Sequence, residues 1–155
     1  MNDLLAGQRR NKGKEKMRIG YVVLTLAMIQ AAPMSANSQS ANRFDGSWTT
    51  TVSCPDAAGA LGYSFDVPTT IHDGRLHGER MREGEPGHLV LDGQIQPDGG
   101  ARLYAKGLVG ASQFAVGQAP KGTDYGYHVA ATFQNASGSG KRVEGRPCDL
   151  TFSRR

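Results

Sequence analysis

From residue 47 onward, apolar and polar side chains alternate in short bursts separated by breaks rich in glycine, proline and aspartate. Trp48, Thr50, Val52 and Cys54 recur at every second position, the period of a strand with one buried face. Tyr63, Phe65, Val67, Thr69 and Ile71 repeat it, and Pro68 within that run needs an edge or a gap for its missing N–H. Asp73-Gly74 then predicts a two-residue type I′ hairpin, because both positions tolerate φ > 0. That turn sets His72 opposite Arg75, Ile71 opposite Leu76 and Val67 opposite Arg80, with a third strand over 75–82. Leu89, Leu91, Gly93 and Ile95 mark a fourth strand, 97–100 a turn, and Ala101, Leu103 and Ala105 a fifth. Residues 110–124 keep no period and read as a long loop or as a short irregular strand around 113–117. Tyr125, Tyr127, Val129, Ala131 and Phe133 form a strong later strand. A turn over 135–140, a short strand over 142–145 and a last strand over 147–154 complete the chain.

Seven or eight short strands with no helical period predict an all-β sandwich or barrel. The two ends of the pattern decide between them. Cys148, Leu150 and Phe152 answer Cys54, Val52 and Thr50 when the first and last strands pair antiparallel, so one register puts both cysteines and both apolar rows on one side. A sheet closing on itself needs that match. The expectation is a single antiparallel eight-stranded β-barrel over 44–155, with its first and last strands paired and linked by a Cys54–Cys148 disulfide. The alternative for the two thiols is burial without a bond.

The N-terminal third changes the reading of charge and compartment. A basic segment ending at Arg18 precedes an apolar run over 19–29 and then small residues to Ala36, the layout of a secretory signal peptide, and the run is too short to span a bilayer. Residues 1–16 fall before a second candidate start at Met17, and 37–43 read as a flexible leader. The net charge of +4 comes from that segment; downstream of it, 12 basic and 12 acidic residues balance. A neutral domain offers no electrostatic footprint for nucleic acid or anionic lipid. The expectation is a periplasmic or secreted monomer, free of the membrane after signal cleavage. Export also favours the disulfide.

Candidate chemistry is sparse. No G-x-S-x-G, H-E-x-x-H, Ser-x-x-Lys or phosphate-loop pattern is present, so no enzyme, catalytic residue or cofactor is expected. His72 and His77 share the outer face of one hairpin without a third converging ligand, His128 also faces out, and with His88 they read as solvated surface histidines, so no metal is expected. Arg80 has two readings. Opposite Val67 it turns inward and needs an anionic or multidentate partner, holding a ligand at the barrel mouth with Trp48, Tyr63, Phe65, Tyr125 and Tyr127 as walls. A bulge at Gly78 instead turns it out toward Glu79 or Glu83. The same aromatic residues can alternatively fill the core.

Several segments carry a resemblance: FDGSW at 44–48, CP at 54–55, GALGY at 59–63, DG-x-L-x-G at 73–78, PG-x-L-x-L-x-G at 86–93, GTDYGYHV at 122–129 and RPCDLTF at 146–152. In these the chain resembles a group of small exported proteobacterial β-barrel proteins, which implies export and a barrel. Gly46-Ser-Trp48 is similar to the G-x-W of lipocalin-like barrels, which with avidin-like barrels enclose a ligand. Ser137-Gly-Ser-Gly-Lys-Arg-Val143 resembles the SGSGARY-like loop of bacterial lysozyme inhibitors, with Lys141 and Val143 departing from it. That second likeness implies a secreted protein partner met through Ser139 and Arg142. The first function expected is a binding module for a small, partly apolar ligand; the alternative is a secreted inhibitor acting through loops 55–62, 110–124 and 135–140.

Overall fold

In the computed structural model, which describes residues 41–155, eight antiparallel strands close into one barrel. They are β1 Gly46–Cys54, β2 Tyr63–His72, β3 Arg75–Arg80, β4 Leu89–Ile95, β5 Gly100–Leu108, β6 Asp124–Phe133, β7 Ser137–Arg142 and β8 Asp149–Arg154. Each strand pairs with the next in sequence, and β1 pairs with β8 to close the seam. The expected signal segment 1–36 and residues 37–40 of the expected leader lie outside the described residues.

The seam follows the register expected from the alternation, with Val52 opposite Leu150 and Thr50 opposite Phe152. One step beyond the paired residues, Cys54 and Cys148 are joined by a disulfide, which places the domain in an oxidising compartment. The β2–β3 hairpin also has the expected register, Ile71 facing Leu76 and His72 facing Arg75. Its turn residues Asp73 and Gly74 both have positive φ, and their N–H groups donate to the Asp45 carboxylate at 2.8 and 3.1 Å.

Three expectations need correction, and one left open between two alternatives is decided. β3 stops at Arg80 rather than at 82, because Met81 adopts φ +62° and leaves the ladder. The segment expected as a turn over 135–140 is largely strand β7, and the short strand expected over 142–145 is absent. The inward positions of β7 are Gly138 and Gly140, which face Phe133 and Ala131 on one side and Phe152 and Leu150 on the other. A Cβ on Gly140 would stand 3.0 Å from both Ala131 Cβ and Val129 Cγ1, so glycine is what lets large neighbours fill the interior there. Of the two alternatives for residues 110–124 the long loop holds, with two short 3₁₀ turns, Ser112–Phe114 and Val116–Gln118, and no strand until Asp124. Finally, Ala41–Phe44, most of it assigned to the leader, is a 3₁₀ turn whose Phe44 is fully buried.

The inward rows are apolar and the outward rows polar, the reverse of a barrel that faces lipid. Phe44, Trp48, Ile95, Phe133 and Phe152 fill one pole, with Trp48 edge-on to Phe133 at 5.7 Å and its indole N–H donating to the Phe44 carbonyl at 2.8 Å. Arg154 lies over the Trp48 ring and donates to the backbone carbonyls of Arg43 and Asp45, stitching the 3₁₀ turn to the last strand. Across the waist, the buried Thr50 and Thr69 hydroxyls satisfy each other at 2.8 Å.

Candidate functional site

The opposite pole is open. Because neighbouring strands run in opposite directions, β1, β3, β5 and β7 end there, and β2, β4, β6 and β8 begin there. The loops at that pole are therefore 55–62, 81–88, 109–123 and 143–148. Loops 81–88 and 109–123, with Arg142 and Arg146, border a cavity of about 560 Å³, within the range usual for small-ligand sites.

Its walls come from the first inward residues of two strands. Tyr63 and Phe65 stack at 5.6 Å at the start of β2, and Tyr125 and Tyr127 stack at 6.1 Å at the start of β6. Leu108 and the 109–123 loop contribute the roof side, including Phe114, which meets Tyr63 edge-on at 6.0 Å. Burial raises the Tyr127 phenol to about 12 and pushes Tyr125 higher still, so both hydroxyls stay protonated at any physiological pH.

Three arginines share this lining, each over an aromatic ring. The guanidinium carbons of Arg80, Arg142 and Arg146 stand 4.5, 4.2 and 5.1 Å from the ring centroids of Phe65, Tyr127 and Tyr63. Arg80 donates to the Gly87 carbonyl at 3.2 Å, and Arg142 Nε to the Glu144 carbonyl at 2.5 Å. Arg146 is 6% exposed and donates to the carbonyls of Phe114, Pro55 and Leu61, clamping loops 109–123 and 55–62 to the segment that carries it. Its buried Nε has no hydrogen-bond partner. Among the described residues, none of the three arginines forms an ion pair with a carboxylate.

The structure thus brings Tyr63, Phe65, Arg80, Tyr125 and Tyr127 together around one cavity and leaves Trp48 out of it. Trp48 is fully buried at the closed pole, too far along the barrel to serve as a wall. Gly78 pairs with Thr69 and Leu91 without a bulge, and Arg80 faces inward at the rim. Ser139 and Arg142 separate: Ser139 is exposed on the outer face of β7, whereas Arg142 turns into the mouth. Loops 55–62 and 109–123 share the open pole, but the turn before β7 lies at the closed one.

Among the lining residues missed from sequence are Arg146, Phe114 and Met81. Phe114 carried a signal, as the one aromatic side chain in an aperiodic loop. Arg146 carried none, since a residue between a glycine and a proline in a short loop has no period to assign it a face. His88 is a further correction, being 8% exposed rather than solvated, with its Nε2 3.0 Å from Glu79. His72, His77 and His128 are outward and stand beside Asp73, Asp92 and Glu144. The backbone N–H and ring of His128 hold the Glu144 carboxyl below its ordinary range. Among the described residues no group of three potential metal ligands occurs.

Fold and mouth define a class: a closed up-and-down β-barrel with one filled pole and one aromatic, arginine-lined pole. Set against family models, curated proteins and solved structures, the chain finds no match.

Proposed function

We propose that this is an exported, periplasmic or secreted binding module that holds a small, partly apolar ligand in the mouth of its barrel. One observation carries the reading. The core fills the barrel from the closed pole through the waist, yet packing stops at the level of Tyr63, Phe65, Tyr125 and Tyr127 and leaves a 560 Å³ cavity lined by their rings. A barrel serving only as a scaffold gains by filling that space, since each unfilled cavity costs stability. No group in the lining suggests bond-making chemistry, so binding rather than catalysis is the reading taken.

Native mass spectrometry of the protein purified undenatured from its own compartment tests it. The expected result is an adduct that leaves on unfolding. A bare chain that also fails to bind any uncharged apolar dye would overturn it.

A second reading has a specific observation behind it. Leu61, Met81, Phe114, Val116 and Val143 are exposed at the open pole, an apolar rim of the kind protein interfaces use. The inhibitor alternative would employ that rim, with Arg142 at its edge and Ser139 outside it.

A further inference from the structure

Resting on the ligand-binding reading above, we infer that the ligand is an organic anion whose charged head is held by Arg80 and Arg142 at the rim and whose apolar body lies against Phe65, Phe114, Tyr125 and Tyr127. A charge drawn out of water is normally met by an opposite charge or by a full set of hydrogen bonds. Here Arg80, Arg142 and Arg146 line one cavity and none has such a partner among the described residues. Arg146 is committed to three backbone carbonyls and fixes the loops, but its charge stays in place beneath the mouth. Arg80 donates to the Gly87 carbonyl and to Met81 Sδ, and Arg142 donates to the Glu144 carbonyl, which leaves further N–H groups of each fork for a ligand.

The rings behind the arginines matter as much as the charge. A guanidinium lying on an aromatic face is held flat, so its N–H edge is oriented before the ligand arrives and little rotamer entropy remains to be lost. Tyr125 lines the same cavity as Arg80 and Arg142, and the positive charge of both acts on its phenol. Burial keeps that hydroxyl and that of Tyr127 in the donor form. Two cations and two phenol donors around an apolar cavity suit a carboxylate or phosphate ester with a hydrocarbon or aromatic body. The opposing charge in the lining is Asp124, on the exposed first residue of β6. Its single negative charge is outweighed by the three guanidinium groups of the same lining, so the balance stays positive.

Calorimetric titration of the disulfide-bonded protein with ten-carbon probes of one body and different heads decides this: decanoate, decyl phosphate, decanol and decyltrimethylammonium. The expected result is that the two anions bind about ten- to a hundredfold more tightly than decanol, the worth of a charge-assisted bond. The cation should bind more weakly than decanol. Whichever anion binds more tightly names the head. In R80Q/R142Q the anions should fall to the level of decanol while decanol itself is unchanged, and R75Q, an exposed change at the closed pole, should alter nothing. Equal binding of decanoate and decanol by the unaltered protein overturns the inference and leaves the neutral-ligand reading standing. Binding of none of the probes, nor of an uncharged apolar dye, overturns both. The comparison among probes needs no variant, so a variant that fails to fold does not rescue the inference.

Discussion

Tyr127 is 4% exposed, and burial raises its phenol from 10.0 to about 12. A group whose acid form is favoured by folding holds more protons in the folded chain than in the unfolded one between those two values. Its contribution is therefore complete below pH 10 and is lost as pH rises toward 12, at about 1.4 kcal/mol per unit. Urea denaturation across that window should show a falling midpoint that is less steep in Y127F. Trp48 makes a contrasting prediction. W48A should cost about 3–5 kcal/mol, as for other large core aromatics, with the affinity of the remaining folded protein for a mouth ligand unchanged. These two residues also show where sequence reading reached its limit at this scale. Alternation assigns both an inward face, but a face is not a height. Trp48 is near the start of β1 and Tyr63 at the start of β2, and in antiparallel neighbours those starts lie at opposite poles. The observed register makes the difference in height plain, with Tyr63 beside Cys54 and Trp48 beside Thr69.

Among the elements, β7 was the least legible, and its glycines explain why. A strand announces itself by large side chains on its buried face, and β7 has Gly138 and Gly140 there because Phe133, Phe152 and Val129 already occupy the space. The pattern is written on its neighbours. G140V should destabilise the barrel by about 1–3 kcal/mol through overpacking, read as a lower denaturation midpoint. The β2–β3 hairpin, by contrast, was legible in its turn and in the pairs beside it, because Asp73-Gly74 and the flanking alternation agree. Its ladder nevertheless ends at Thr69 and Gly78, short of the expected Val67–Arg80 pair. The roof loop 109–123 was legible only as aperiodic. What shapes it is remote: Leu61 N–H donates to the Gln113 carbonyl at 2.8 Å and Arg146 to that of Phe114. R146Q should leave buried carbonyls unpaired at a cost of about 1–3 kcal/mol. Trypsin should then cut after Lys121, in the roof loop, faster than in the unaltered protein at a temperature where both are folded.

For the whole molecule, closure is what the sequence states most directly, because the β1–β8 seam is read from two matched rows and two cysteines. The disulfide spans 94 residues, nearly the full barrel. In the chain-entropy account such a loop is worth about 4–5 kcal/mol, so C148S should unfold at a markedly lower temperature than the oxidised protein, and at the temperature of the reduced one. The cavity was less legible, since its emptiness depends on how far apart the roof loops and the aromatic walls stand, and spacing in sequence does not encode a void.

Both ends of the described chain leave from the filled pole: the 3₁₀ turn enters there, and Arg155 donates its N–H to the Ser47 carbonyl at 2.9 Å. A fusion partner, affinity tag or sensor chip attached at the C-terminus therefore holds the protein by its base and presents the mouth to solution. Two such barrels joined end to end would face away from each other, so each could take up its own cargo without shading its twin.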